Sequence, residues 1–247
     1  MASGGRIHQL IKQARATFSR AANEATFRQE FEKLKAAMAS VTFEDFNLSP
    51  SVLGKVWDYS PYVKDAPASC MDVYECTEFS VSIFMMKPNK YMPLHDHPEM
   101  HGTMKVLLGS MVVTAYSKPS SKAQGLLRCP LVPKIQLSPS SEPCCLYPSQ
   151  ANIHEIHTGD EPVAFLDILS PPYNPSQGRD CTYYAIKSAD KTAKDEESSR
   201  TLGPPSSNDE GSGSEQLCPR HYSSATVLLN QYTVFDLPSV KLWQFKM

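Results

Sequence analysis

The stretch "PLHDHPEMHG", residues 93–102, places three of the seven histidines of the chain within seven positions. Two of them, His95 and His97, are separated by a single residue. On a β-strand, residues i and i+2 project to the same face, so these imidazoles point together and Asp96 points to the other side. Two neutral imidazoles held in this way can bind one metal ion. The stretch therefore predicts a strand that carries part of a metal site.

A metal site needs at least one further ligand, and the residues alone leave its source open. His101 follows His97 by four positions, although Pro98 and the sequence Met100-His101-Gly102 favour a bend there. Glu99 is two positions beyond His97 and could supply a carboxylate. A distant source is His154 in "NIHEIH", residues 152–157, on another predicted strand. His157 is next to a turn and is expected to face elsewhere if His154 faces inward.

Short segments with a period of two surround these histidines, and they predict an all-β domain. They are rich in β-branched and aromatic residues and are separated by turn signals. Many short strands of this kind are typical of a sandwich or a small barrel. The predicted strands lie within residues 73–86, 103–117 (two, around Gly109-Ser110), 131–137, 145–173 (at least two), 181–187 and 225–232.

The N-terminal residues 6–38 have helical periodicity, with apolar residues three and four positions apart in two successive registers. The first 23 residues carry four basic side chains and no acidic one, which is the composition of a mitochondrial transit peptide. The alternative is a helix that packs its apolar stripe on the main domain. We favour packing, because the helical pattern continues well past any expected cleavage site. The chain is thus divided into a helical segment, residues 1–45, and a catalytic or binding domain, residues 46–247.

Residues 188–219 form a polar, Ser/Gly/Pro-rich and charged segment that is predicted to be a disordered loop. The last segment, "VKLWQF" at residues 240–245, is apolar enough to dock on the domain. The formal net charge of −2 gives no electrostatic case for a nucleic acid or a membrane partner. Seven cysteines without a CxxC pair or a secretory signal indicate a reduced compartment, so we expect a cytoplasmic protein, with the mitochondrion as the alternative.

Two blocks, "PLHDHPEMHGTMKVLLGS" (93–110) and "LDILSPPYNPSQGRDCTYY" (166–184), resemble the thiol dioxygenase family of cysteamine (2-aminoethanethiol) dioxygenases and plant cysteine oxidases. The similarity runs from about Val73 to Lys187. The resemblance implies a cupin fold, which is a double-stranded β-helix or jelly-roll-like barrel, after the helical segment. It also implies that His95, His97 and His154 are the iron ligands.

The resemblance also narrows the open ligand alternatives. Most cupins add a glutamate four or five residues after the second histidine, and here those positions hold His101 and Gly102. The absent carboxylate agrees with the three-histidine, thiol-oxidising branch. Glu99 lies where the family usually has a small residue and is not expected to bind metal. His101 is expected to have a structural or supporting role.

Three neutral ligands suit thiol chemistry. They leave positions on Fe(II) open for substrate and O₂, and the site is one charge unit more positive than one with two histidines and a carboxylate. A thiolate restores the charge balance. The resemblance implies that both oxygen atoms of O₂ pass to sulfur to give a sulfinate, with no organic cofactor and no external reductant.

The second block supplies further candidate residues. The resemblance places Asp167 near the metal, where it would orient a ligand or the substrate amine, and gives Tyr173 a hydroxyl directed at substrate or oxygen. Cys181 and Tyr183 correspond to a pair that can form an oxidative cross-link. The structural alternatives are that Asp167 merely pairs with an arginine and that Cys181 and Tyr183 are unlinked neighbours.

The substrate implied by the resemblance is a free aminothiol: cysteamine, the N-terminal cysteine of a protein or peptide, or both. Oxidation of N-terminal cysteine would suit an oxygen sensor in hypoxia, and family precedent favours a monomer. The rival class is a non-catalytic metal-binding cupin that acts as a regulatory module, since three histidines could also hold zinc or nickel. A cupin acting on a carbon substrate is a weaker rival, because the carboxylate ligand is missing.

Overall fold

A computed structural model of the chain describes residues 4–18, 23–51, 53, 66–119 and 126–187, together with the backbone of 226–232 and 242–245. The predicted disordered loop at 188–219 lies outside the described residues. Two helices come first, α1 (Gly4–Thr17) and α2 (Glu24–Ala39), and short 3₁₀ turns lie at Phe43–Phe46 and Pro175–Gln177. The strands are β1 (Ala68–Glu75), β2 (Ser80–Met86), β3 (Tyr91–Asp96), β4 (His101–Leu108), β5 (Met111–Tyr116), β6 (Leu126–Leu137), β7 (Cys144–Leu146), β8 (Ile153–Thr158), β9 (Val163–Ser170), β10 (Tyr183–Lys187), β11 (Thr226–Tyr232) and β12 (Leu242–Phe245).

The strands form two mostly antiparallel sheets. The first has the order β12-β1-β2-β9-β4-β7, and in the second β10-β11-β6-β5-β8-β3 closes on itself through β10 and β3. The final strand β12 pairs in parallel with β1, so the apolar C-terminal segment docks as predicted. The prediction of an all-β, barrel-like domain with an N-terminal helical segment is confirmed.

Two strand predictions needed correction. The run at 73–86 is two strands, β1 and β2, because the chain reverses through a turn in which the amide of Cys76 donates to the carbonyl of Phe79. That turn contains neither glycine nor proline, so no turn signal marks it in the sequence. β6 begins at Leu126, earlier than predicted, and continues across two prolines. A register shift against β5 at Pro133 accommodates its missing amide donor.

The helical segment is two helices rather than one. α2 begins after Asn23, whose side-chain oxygen accepts a hydrogen bond from the amide of Thr26 at 2.9 Å. Each apolar register of the sequence belongs to one helix, with Leu10 and Ala14 buried on α1 and Leu34 buried on α2. Both stripes pack in one core with the outer face of the first sheet, as the packing interpretation predicted. A targeting role stays a prediction.

Side chains of strand β9 alternate between two cores, one on each face of the first sheet. Leu166 and Ile168 pack outward in the core that the helices share, whereas Phe165 packs inward in the barrel core. Asp167 alternates with its neighbours and therefore faces inward. Within the described residues, no helix combines the length and the apolar character that crossing a bilayer requires.

Candidate metal centre

Strand β3 is irregular at Pro93, and this irregularity turns two histidines into the barrel. Met92 and His95 are three residues apart on β3, whereas their partners on β8 are two residues apart. A proline cannot donate a ladder hydrogen bond and is tolerated at such a bulge. The extra residue shifts the alternation of side chains, so that His95 and His97 face the same interior as Met92.

The imidazoles of His95, His97 and His154 converge between β3 and β8. One candidate ligand nitrogen from each lies within 4.8 Å of the other two. The Nε2 atoms of His97 and His154 are 3.3 Å apart. All three side chains are buried, with 6%, 3% and 4% of their surface exposed. No other cluster of histidine, cysteine and carboxylate side chains in the described part of the chain has this geometry.

The electrostatics of the site keep the three imidazoles neutral. Burial lowers the pKa of His95. Burial and the neighbouring His154 and His95 hold the pKa of His97 well below its usual value. Burial and His95 do the same for the pKa of His154. Neutral imidazole is the form that binds a metal ion, so the apoprotein is prepared for one.

Hydrogen bonds on the far side of two rings select the tautomer that directs Nε2 inward. Nδ1 of His95 donates to the carbonyl of Pro93 at 2.7 Å. The hydroxyl of Tyr173 lies 2.7 Å from Nδ1 of His97 and donates to the carbonyl of Asp96, also at 2.7 Å. Because that carbonyl can only accept, Nδ1–H of His97 donates to the tyrosine oxygen. Such outer partners fix the orientation and the basicity of metal-binding histidines.

This arrangement gives Tyr173 a role in positioning His97. Tyr173→Phe removes the acceptor of His97 Nδ1–H while it retains the ring. We expect metal affinity to fall roughly 10-fold to 100-fold, as is usual for loss of an outer hydrogen bond. Competition with a metallochromic chelator measures this affinity. Tyr91→Phe is the matched control, because Tyr91 is exposed and stacks on His157 away from the site. Unchanged affinity in Tyr173→Phe would contradict the positioning role.

The predicted contact of the Tyr173 hydroxyl with substrate or oxygen stays a prediction. Burial, followed by the nearby Cys181, raises the pKa of Tyr173 well above its usual value, so the phenol is neutral. Burial likewise raises the pKa of Cys181 to about 12. Cys181 interacts with the hydroxyls of both Tyr173 and Tyr183, and Tyr183 pairs with His95 across β10 and β3. The predicted Cys181–Tyr183 pair is therefore adjacent to the metal centre, with the two side chains close enough to interact.

Asp96 and Asn152 are two buried residues that hold the site together, and the sequence did not reveal this role for either of them. The carboxylate of Asp96 accepts hydrogen bonds from the amide of Thr182 and the hydroxyl of Tyr184, and it pairs with Lys118 at 2.8 Å. These contacts join β3 to β10 next to the histidines. The amide group of Asn152 bonds to both the N–H and the C=O of His97. The partners of Asp96 are distant in sequence, which explains why no local pattern pointed to them.

Asp167 is a buried carboxyl on the inner face of β9. Burial raises its pKa to about 7, although the amide of Ile168 acts in the opposite direction. The charge of Asp167 contributes to the raised pKa of Tyr173, which indicates its proximity to the metal side of the barrel. No lysine, arginine or histidine among the described residues forms an ion pair with it. The arginine-pairing alternative therefore has no support in the described structure.

The remaining ligand candidates lie away from the centre. His101 begins β4 and its ring packs among Phe27, Phe31 and Tyr147, which gives it the structural role that was expected. Exposed Glu99 occupies a turn with φ of 60°, a conformation that favours glycine, and it lies outside the histidine cluster.

Gly102 and His157 also lie outside the cluster of three histidines. A Cβ on Gly102 would lie 2.9 Å from both Leu146 and Leu169, so the position usual for a cupin glutamate is filled by leucines. His157 is about half exposed and lies 3.5 Å from a carboxylate oxygen of Glu155, so it faces elsewhere as expected.

The donor set fits a divalent transition metal. Three neutral nitrogens are directed at one point from adjacent strands, and the adjoining carboxyl, Asp167, remains free of the cluster. Imidazole ligands suit iron, zinc, copper and nickel, and three of them leave further coordination positions open. The three histidines thus form a metal site whose geometry alone does not select the metal.

Comparisons with known proteins agree with this geometry. A model of the family PCO_ADO matches residues 37–222, which is well over half of the chain. The 2-aminoethanethiol dioxygenase of Mus musculus is 33% identical over 205 residues, covering 73% of this chain and 79% of the relative. The Homo sapiens protein of the same name is 33% identical, covering 65% and 66%. Plant cysteine oxidase 2 of Arabidopsis thaliana is 31% identical, covering 64% and 57%, so the match spans less than two thirds of these last two relatives.

Proposed function

This chain belongs to the PCO_ADO family, and we propose that it is an iron-dependent thiol dioxygenase that converts an aminothiol and O₂ to the sulfinate. The observation that carries the proposal is the cluster of His95, His97 and His154 without a carboxylate ligand. The names of the curated relatives support the reaction class. The alternative of a non-catalytic metal-binding cupin is not favoured by these relatives.

Fe(II) bound by the three histidines would supply the site at which thiolate and O₂ meet, with the thiol providing the electrons and both oxygen atoms ending on sulfur. The chain supplies a binding site without negative charge among its ligands, so an anionic thiolate is attracted to it. Asp96 is turned away and neutralised by Lys118. The buried walls of the barrel exclude bulk water from the reacting groups.

The amine of the substrate is the group that Asp167 can recognise. Its carboxyl is buried, faces the interior and forms no ion pair in the described structure. An ammonium group would provide the missing cation and would favour the ionised form of Asp167. Cysteamine and an N-terminal cysteine both place an amine two carbons from the sulfur, so both satisfy this requirement. A peptide substrate would connect the reaction to oxygen sensing.

The decisive experiment is anaerobic loading of the metal-free protein with Fe(II), followed by addition of air-saturated buffer and substrate. Cysteamine and a peptide that begins with cysteine are the substrates, and mass spectrometry detects the gain of two oxygen atoms. Protein loaded with Zn(II), which has no redox chemistry, is the matched control. A gain with iron but not zinc supports the proposal, whereas no gain on either substrate with stoichiometric iron would contradict it.

A further inference from the structure

Among the described residues, the inner face of strand β2 is only partly buried, whereas its outer face is fully buried. Inward-facing Ser80, Ser82 and Phe84 are partly exposed, whereas outward-facing Val81 and Ile83 are completely buried beneath the helices. Small barrels normally fill their interior with side chains. The exposed inner residues therefore mark a cleft, hereafter the inner cleft, that leads into the barrel along β1 and β2.

A second carboxylate lies in the inner cleft at the level of Asp167. Asp72 pairs with Ser82 across β1 and β2, and Ser82 pairs with Asp167 across β2 and β9, so the three side chains share one face. The hydroxyl of Ser82 donates to Oδ1 of Asp72 at 3.4 Å. Two strand spacings separate the carboxylates by about 10 Å. Asp72 is only partly buried and is therefore accessible from the cleft.

The acidic lining continues toward the end of the barrel. A register shift follows Asp72, and Glu75 then pairs with Ser80 on the same face. Glu75 and Glu78 line a cavity of about 730 Å³ that also contacts Tyr173 and Arg179. Arg179 is occupied by its own loop, since its guanidinium donates to the carbonyl of Pro172 and the side chain of Gln177. The described residues of the cleft and this cavity therefore carry more negative than positive charge.

We propose that Asp72 and Glu75 select peptide substrates that carry basic side chains in the two residues after the N-terminal cysteine. The inference rests on the proposed function, which fixes the thiol at the metal and the amine at Asp167. An extended chain advances roughly 3.3–3.6 Å per residue, so the second and third residues of such a peptide span the distance to Asp72. Lysine or arginine there meets a carboxylate, whereas glutamate is repelled. Cysteamine ends before this part of the cleft.

Turnover of three peptides tests the proposal. The peptides begin with cysteine and differ only at positions two and three, which are both lysine, both alanine or both glutamate. We expect the iron-loaded protein to favour the lysine over the glutamate peptide by about 10-fold in kcat/KM at low salt, and less at high salt. Asp72→Asn and Glu75→Gln should each reduce this ratio, and together they should bring it to about twofold. The ratio cancels any effect common to all peptides.

Asp160→Asn is the matched control, because it removes one negative charge from an exposed turn between β8 and β9. It should leave the ratio as in the wild type. A second readout needs no iron: binding of fluorescent peptides in which serine replaces the cysteine, measured by anisotropy with metal-free protein. Selectivity that survives in the Asp72→Asn/Glu75→Gln double variant, or that is absent from the wild type, would overturn the proposal. If no cysteine peptide is oxidised, the proposed function fails, while the binding ratios still decide this inference.

Discussion

His154→Ala is expected to abolish both stoichiometric metal binding and sulfinate formation. The substitution removes one of three donors and leaves His95 and His97, and no other histidine, cysteine or carboxylate of the described residues belongs to the cluster. Loss of an outer hydrogen-bond partner typically costs roughly 10-fold to 100-fold in metal affinity, and loss of a donor must cost more. Metal analysis after gel filtration and single-turnover oxidation of cysteamine measure the two effects. The variant should remain folded, because the described hydrogen bond of the His154 side chain is to the neighbouring ligand His97 and not to the main chain.

His157→Ala is the matched control, since it makes the same change three residues later on β8. His157 is exposed and its only described ion pair is the contact with Glu155. We expect normal metal content and normal oxidation in this variant. Stoichiometric, tightly bound metal in His154→Ala would contradict the assignment of His154 as the third ligand.

Asp167→Asn is expected to lower kcat/KM for cysteamine by about 100-fold, because a buried ammonium would lose its counter-charge. Asparagine preserves the shape of the side chain, so the metal site should stay intact. A matched substrate separates recognition of the amine from damage to the metal site. 2-Mercaptoethanol replaces the amine by a hydroxyl, and its weaker oxidation should change little in the variant. An equal loss on both substrates would contradict the proposed role of Asp167.

The pH dependence of kcat/KM gives a second test of the role of Asp167. Because burial raises the pKa of Asp167 to about 7, the carboxyl is neutral below that pH and ionised above it. The advantage of the wild type over Asp167→Asn should therefore grow as pH rises through about 7. Stability should respond in the opposite direction: between pH ~4 and about 7 the folded metal-free protein holds a proton that the unfolded chain has released, so its stability should decline across this window and level off above it. Thermal unfolding of both proteins across this range should show the decline only in the wild type.

The sequence predicted the class of the fold, because alternating apolar residues and turn signals report strands directly. It did not predict the irregularity at Pro93, and the direction of His95 and His97 depends on that extra residue in β3. Local pattern alone left three sources for the third ligand. Only pairing between β3 and β8 brings His154 to the site, and such pairing is decided by the whole sheet.

The supporting residues were predicted unevenly for the same reason. Asp167 and Tyr173 came from family resemblance, but the hydrogen bonds of Tyr173 to His97 and to the Asp96 carbonyl required the closed barrel. In the sequence, Asp96 is simply the residue between two ligands. Its supporting role was not predicted, because its partners on β10 and at Lys118 are distant in sequence. The break between the two helices was missed because the apolar periodicity resumes in a new register after it.

The first sheet has the helices on one side and the chemistry on the other, and this limits how the protein can be processed. Cleavage on the C-terminal side of α2 would remove both helices and expose Val81, Ile83 and Ile168, which have no exposed surface in the intact protein. The trimmed barrel would then expose a large apolar patch and would tend to self-associate. We therefore do not expect α1 and α2 to be a segment that is removed from the folded protein.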